Sequence, residues 1–332
     1  MTESYATFPA RRMRRLRRTS RIRDLVSETS LSATDLIAPL FVREGIDRPA
    51  EIRSIPGHFQ HTVHSALEEC KKYLGLGIPG VILFGIPLDR DPQGSGAWDP
   101  SGIVQLALSA IHDVLGDDLT LISDLCLDEY TSHGHCGVLD SQARVDNDTT
   151  LELYRQVAVA QARAGAHIVA PSGMMDGQVA AIRESLDASS LTDTAILAYS
   201  AKYASALYGP FRDAVDVQIA GGGDRRGYQQ DLRNSREAME EAALDIAEGA
   251  DIVMVKPALS YLDIILRISS TVNIPVAAYH VSGEYSMVKA AGERGWLDAG
   301  AVMMEHLVSI KRAGARFIIS YAAAEIAEII GQ

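Results

Sequence analysis

The sequence predicts an α/β fold: a single (β/α)8 TIM barrel behind an extended basic N-terminal arm. Three observations lead there. Eight short β-branched or apolar runs alternate with amphipathic helical stretches. Several of those stretches close on Gly-Ala or Ala-Gly before the next run, as helix ends do. No linker or break in composition divides the 332 residues into further domains.

Residues 1–30 form the arm and 31–332 the barrel. The first 23 residues hold eight of the chain's 31 basic residues, all arginine, but only one of its 43 acidic ones. A basic arm therefore precedes an acidic body. That body would repel phosphate chains, which disfavours nucleic acid as the target of Arg11-Arg-Met-Arg-Arg-Leu-Arg-Arg18. The simplest partner for the arm is the acidic surface of a second copy of the chain, so a homo-oligomer is expected.

Strand signals follow at Leu36–Val42, Gly80–Phe84, Thr120–Cys126, His167–Pro171, Ala195–Ser200, Asp251–Val255, Pro275–Tyr279 and Arg316–Ser320. Between them, Asp148–Ala164, Gly177–Leu186, Asn234–Glu248 and Ala301–Ala313 carry apolar residues at three- and four-residue spacing. Cys70, in a further helical pattern, reads as a core or boundary residue. An open doubly wound sheet would want a glycine-rich phosphate turn after an early strand. The only such run, Gly221–Gly227, comes late and fits neither a phosphate loop nor a dinucleotide fingerprint. It reads as a mobile loop carrying Arg225 and Arg226. A closed parallel barrel accounts for the count of strands better.

With 47% hydrophobic residues the chain can bury a sizeable core. No run approaches the roughly eighteen apolar residues of a membrane span, and no signal-peptide pattern precedes the first charged cluster. Three cysteines do not make a disulfide framework. A cytoplasmic protein without membrane partners is the expectation.

Two of those cysteines fall in Asp124-Leu-Cys-Leu-Asp-Glu-Tyr-Thr-Ser-His-Gly-His-Cys-Gly137. Cys126 and Asp128 share one face of a strand end, and Cys136 returns after a loop. Three such ligands suit an open catalytic zinc, because no second cysteine pair exists to close a structural tetrahedron. Read alone, the fragment also fits a buried strand end followed by a histidine-bearing loop.

In a barrel of this kind, chemistry gathers at the carboxyl ends of the strands. The residues standing there are Asp124 and Cys126, Ser172, Lys202, Lys256, Tyr279 with Ser282, and Tyr321. Lys202 and Lys256 end neighbouring strands. Burial and a like charge both lower a lysine pKa, which frees an amine to attack a carbonyl carbon, and Schiff-base chemistry is the natural use.

Seven segments, taken in order, resemble the porphobilinogen synthase family, also called 5-aminolevulinate dehydratases. They are Asp124–Gly137, Pro171-Ser-Gly-Met-Met-Asp-Gly177, Tyr199-Ser-Ala-Lys-Tyr-Ala-Ser205, Tyr208-Gly-Pro-Phe-Arg-Asp213, Gly223-Asp-Arg-Arg-Gly-Tyr-Gln229, Met254-Val-Lys-Pro257 with Tyr261-Leu-Asp263, and Tyr279-His-Val-Ser-Gly-Glu284. The likeness spans about Arg14 to Tyr321.

The resemblance implies condensation of two 5-aminolevulinate molecules to porphobilinogen with loss of two waters, in haem and other tetrapyrrole synthesis. It implies that Lys256 holds the first substrate and Lys202 the second, each as a Schiff base. Arg212, Arg225 and Gln229 would clamp the second substrate's carboxylate, and Ser282 and Tyr321 the first's. Ser172, Tyr208 and Phe211 would line the pocket, and Asp124 would accept or orient a proton beside the metal. The family's commonest zinc site has three cysteines, whereas this chain carries Asp128 in the middle, so Zn2+ is expected with Mg2+ as a possible replacement. Gly173 stands where many relatives carry Asp. Glu241 matches a glutamate that holds an allosteric Mg2+, and the family forms octamers built from dimers whose arms embrace each other's barrels. Two other readings compete. A class I aldolase-like barrel needs one lysine and no cysteine stretch, and a zinc-stabilised scaffold leaves both lysines without a purpose.

Overall fold

Eight parallel strands close on themselves, and this closure decides where every functional side chain stands. In the computed structural model, residues 7–220 and 223–331 are described. The first six residues of the arm, Gly221 and Gly222 of the glycine-rich loop, and Gln332 lie outside them. The barrel strands are β1 (Leu36–Arg43), β4 (Gly80–Ile86), β5 (Thr120–Leu125), β6 (Ile168–Pro171), β7 (Ala195–Lys202), β8 (Ile252–Lys256), β9 (Val276–His280) and β10 (Phe317–Ser320). They neighbour in that order, and β10 returns to β1 through Leu36↔Ile318 and Ile37↔Ile319. All eight expected runs become barrel strands. A short hairpin of β2 (Ala50–Glu51) and β3 (Phe59–His61) adds to the upper half of β1, at Phe41↔Gln60. Strands of two and three residues leave no apolar run to read.

Crossover helices pack outside, among them α4 (Asn147–Arg163), α5 (Gln178–Ala188), α7 (Glu237–Glu248) and α10 (Ala299–Arg312). Their ends differ from the sequence reading for local reasons. Gly177 has φ +77° and sits before α5 rather than in it. Asn234 closes a turn onto Asp231 and its side chain donates to Glu237, so α7 starts three residues late. Asp298 caps α10 by accepting from the Ala301 amide at 3.0 Å, which starts that helix two residues early.

The pairing of β7 with β8 slips by one residue between Ala198↔Val253 and Ala201↔Val255. Side chains alternate along a strand, so without this bulge Tyr199 and Lys202 would face opposite sides of the barrel wall. With it, Lys202 becomes the lateral partner of Lys256. Both lysines then point inward from adjacent strands.

The described part of the arm holds a 3-10 turn at Met13–Arg17 and a short helix α1 (Ser20–Leu25) capped by Thr19, so it is not extended throughout. None of these residues is buried, and Phe8, Met13, Leu16 and Leu25 stay exposed. The arm rests on no core of its own chain. Among the described residues no helix is long and apolar enough to cross a membrane.

One close approach ties the barrel wall to its chemistry. Tyr154 on α4 lies so near Gly173, just beyond β6, that a Cβ there would strike its hydroxyl. That hydroxyl donates to the Cys136 carbonyl at 2.7 Å. Gly173→Ala should therefore displace Tyr154 and cost about 1–3 kcal/mol, read as a lowered midpoint in chemical denaturation. An unchanged midpoint would show that the Tyr154 ring moves aside freely.

Candidate active site

Lys202 and Lys256 set the centre of the site. They are 5% and 6% exposed, which for an ammonium demands either strong pairing or loss of the proton. Lys202 donates to the Ser172 carbonyl. The Lys256 amine lies 4.3 Å from the ring centre of Tyr279, and 5.1, 5.3 and 5.4 Å from those of Tyr199, Phe211 and Tyr208. Those rings exclude water. Their faces attract a cation by about 1 kcal/mol, but burial, helped by the Lys202 charge, outweighs that and lowers the Lys256 pKa to about 7.

Asp124, near the end of β5, accepts from the Ser172 hydroxyl at 3.0 Å. Burial raises its pKa to about 6, against the pull of Lys202 and Lys256. A carboxyl and an amine thus titrate near neutrality side by side. That is the pairing acid–base chemistry needs.

The Cys126–Gly137 loop folds back over this end of the barrel. Thr131 donates to the His135 carbonyl at 2.9 Å, and Tyr154 holds Cys136 from below. One ligand atom from each of Cys126, Asp128 and Cys136 lies within 4.8 Å of the others, all three residues being buried. Two thiol sulfurs and a carboxylate so disposed fit a zinc ion. Arg225 pairs with Asp128 at 2.8 Å and holds its carboxyl well below the ordinary range although burial opposes this. Burial drives the Cys126 thiol up, whereas a hydrogen bond from Cys126 brings the Cys136 thiol down. His133 and His135 turn elsewhere, to the Pro92 carbonyl and the Tyr228 hydroxyl.

Of the residues singled out in the sequence, Asp124, Asp128, Ser172, Lys202, Tyr208, Phe211, Arg212, Arg225 and Lys256 line one narrow cavity of about 20 Å³. Tyr208, Arg212 and Arg225 also line a neighbouring cavity of about 570 Å³, where Gln229 joins them. The Arg225 Nε and Gln229 Nε2 atoms are buried donors without an acceptor. Ser282 and Tyr321 stand behind this front, Ser282 accepting from the Phe211 amide at 3.0 Å and Tyr321 meeting the Tyr279 hydroxyl at 3.4 Å. Glu241 is not part of the site. It lines a separate cavity of about 630 Å³ with Asp176, Asp224 and Glu237, and burial, with the charges of Asp176, Glu237 and Glu248, raises its pKa.

The sequence reading missed three contributors. Tyr199 faces inward beside the lysines, its ring centre 5.1 Å from the Lys256 amine and 5.5 Å from the Lys202 amine, and nothing in its strand pattern marks it as part of the site. Tyr154 acts from an ordinary amphipathic helix. Glu129 was visible as the third carboxylate in six residues but received no role; it is 2% exposed and lines the same narrow cavity.

Residues 10–329 match the model of the family described as delta-aminolevulinic acid dehydratase. A delta-aminolevulinic acid dehydratase of Streptomyces coelicolor is 52% identical over 329 residues, covering 98% of this chain and 99% of that one. One from Synechococcus elongatus is 55% identical over 323 residues, covering 96% and 98%. Among solved structures, the delta-aminolevulinic acid dehydratase (porphobilinogen synthase) of Toxoplasma gondii ME49, in complex with the reaction product porphobilinogen, superposes with a TM-score of 0.94 at 43% identity, covering 96% of this chain and 91% of that one. The barrel, the paired lysines and these likenesses agree: the chain belongs to the delta-aminolevulinic acid dehydratase family.

Proposed function

We propose that this enzyme condenses two molecules of 5-aminolevulinate to porphobilinogen with loss of two waters, using Lys256 and Lys202 as imine-forming nucleophiles, in cytoplasmic tetrapyrrole synthesis. The observation that carries this reading is the lateral pairing of two buried lysines, one with its pKa near 7. An amine that is half neutral at working pH attacks the ketone carbon, and the carbinolamine loses water to give the imine. The imine then acts as an electron sink while the tether fixes orientation. Two lysines in lateral register hold two identical ketones facing each other in different surroundings, Lys256 among aromatic rings and Lys202 nearer Asp128 and the cysteine loop.

The unpaired donors of Arg225 and Gln229 suit the carboxylate of the second molecule, with Arg212 at the same mouth. Ser282 and Tyr321 are the clamp we assign to the first. A cavity of about 20 Å³ beside the lysines admits no more than a water-sized group, so substrate entry requires the Arg212 and Arg225 segments to open. Asp124, with its raised pKa, serves as the proton acceptor next to the reacting carbons. Cys126, Asp128 and Cys136 would hold Zn2+, which acts as a Lewis acid toward a substrate oxygen or amine. Glu241 in its acidic cavity is the position we assign to an allosteric Mg2+. The exposed arm is the element we assign to embracing a second copy, in an octamer built from dimers.

The lysines are tested by borohydride trapping with 5-aminolevulinate. Lys256→Met should abolish turnover and trapping of the first substrate; Lys202→Met should abolish product but leave trapping at Lys256. Trapping in the parent should rise with pH through about 7, not near 10. In Lys202→Met that midpoint should move upward, because the like charge that lowers it is gone. In the unfolded chain a lysine titrates near about 10.4, so unfolding takes up a proton between the two values and stability falls as the pH drops through that window. Lys256→Met removes this loss and should melt higher than the parent below pH 7. Substantial product from either variant would sink the two-imine assignment.

For the metal, chelation should remove activity while the far-ultraviolet circular dichroism stays native, and Cys136→Ala should weaken zinc binding by roughly tenfold or more. Full turnover in metal-free protein would reduce the three residues to structural bystanders. For assembly, deleting residues 1–23 should give smaller oligomers by light scattering, the more so at high salt in the parent, and Glu241→Ala should blunt magnesium stimulation. A deletion variant that remains octameric and active would show the arm to be dispensable.

A further inference from the structure

Glu284 closes the Tyr279–Glu284 segment, and the roles assigned above leave it unused. It is 1% exposed and stands in the first turn of the helix that follows β9, α9 (Ser282–Glu293). Its Oε2 atom accepts from the Val281 amide at 2.7 Å, which caps that helix. Its Oε1 atom accepts from the Leu259 amide at 2.8 Å, in the turn that leaves Lys256. Burial raises the Glu284 pKa, and the amides of Val281, Leu259, Ala258 and Ser260 oppose the rise. A helix cap needs only one of the two oxygens and no burial. The second oxygen reaches the exit of another strand.

The two oxygens thus join the parts of the site assigned to the first substrate. One side is the turn after Lys256, and the other is the start of α9, which carries Ser282. A third element closes the same corner. A Cβ on Gly283 would strike the Leu207 carbonyl, and the next residue, Tyr208, donates through its hydroxyl to the Lys256 carbonyl at 3.2 Å. With so little slack, a shift of the Glu284 carboxylate moves the lysine backbone too.

We propose that Glu284 is a positioning residue which, by bridging the exits of β8 and β9, holds the Lys256 amine inside its aromatic enclosure and at a fixed separation from Ser282. This deepens the function proposed above and rests on Lys256 being the anchor of the first substrate. Glu284 acts through the Lys256 backbone, since its oxygens face main-chain amides. With the bridge cut, the turn relaxes and the amine moves from among Tyr279, Tyr199, Phe211 and Tyr208 toward water, where it holds its proton more tightly.

The test uses full-length protein carrying Lys202→Met, in which Lys256 is the one lysine of the pair that remains, and follows borohydride trapping of 5-aminolevulinate against pH. Adding Glu284→Gln, which keeps the size of the side chain but replaces one acceptor with a donor, should shift the trapping midpoint upward by about one pH unit. With Lys202 restored, Glu284→Gln should lower kcat by about a hundredfold while the far-ultraviolet circular dichroism stays native. The sign of the shift decides. Loss of a negative charge without movement of the amine would lower the midpoint, and a role in stability alone would leave it in place; either result overturns the proposal. Should Glu284→Gln fail to fold, Glu284→Asp decides instead. It keeps the charge but is one methylene too short to hold Val281 and Leu259 together, so the midpoint should again rise, and an unmoved midpoint overturns the proposal. Absence of trapping in Lys202→Met alone would sink the imine assignment and this proposal with it, whereas trapping with an unmoved midpoint removes only the role of Glu284.

Discussion

Two positive charges brought side by side in a low-dielectric interior are the constraint around which this molecule is organised. Lys202 and Lys256 are lateral partners on β7 and β8, and neither could remain charged there without compensation. Much of the surrounding structure supplies or withholds that compensation. Asp124 and Asp128 contribute negative charge, the aromatic wall keeps water from the Lys256 amine, and Arg225 takes Asp128 for itself. The outcome is an uneven pair, with Lys202 hydrogen-bonded to Ser172 and Lys256 in an apolar box. Under the proposed two-imine chemistry, that inequality is what would let two identical molecules take different tasks.

The barrel was legible in the sequence because its strands are buried on both faces, which makes them continuous apolar runs rather than alternating ones. All eight were found at nearly their observed limits. Strand ends carrying Lys202, Lys256 and Asp124 were equally plain, since a polar residue closing an apolar run has few structural excuses. What sequence could not provide was the parity of Lys202. Counted regularly from Tyr199, that lysine faces the helices, and only a one-residue slip in pairing turns it inward. Bulges are a property of two strands together, so a single strand's pattern does not contain them.

The site shows the same division. Cys126 and Asp128 could be grouped from their closeness in sequence, although both lie in the turn after β5, which ends at Leu125, and not on alternate positions of a strand end as the spacing suggested. Contacts that join distant segments could not be read in this way: Arg225 meets Asp128 across 97 residues of chain, and the clamp role expected for it gave no hint of that ion pair. The arm lies between these cases. Its charge was evident from composition, whereas the short helix α1 and the exposed Phe8, Met13, Leu16 and Leu25 add an apolar component that composition did not reveal. A contact made through that segment would combine long-range attraction with area burial.

Helix α4 reaches the reaction centre twice. Tyr154 holds the Cys136 carbonyl at 2.7 Å, and Gln161 donates to the Asp124 carbonyl at 2.8 Å. Seven residues apart, the two side chains occupy one face, two turns distant. A single rigid rod therefore sets the spacing between the cysteine loop and the end of β5. Any slide or rotation of that rod moves both together, so natural variation cannot retune one without disturbing the other. The inner face of α4 should drift slowly among descendants of this chain, while its outer face, which reaches neither, is free to change.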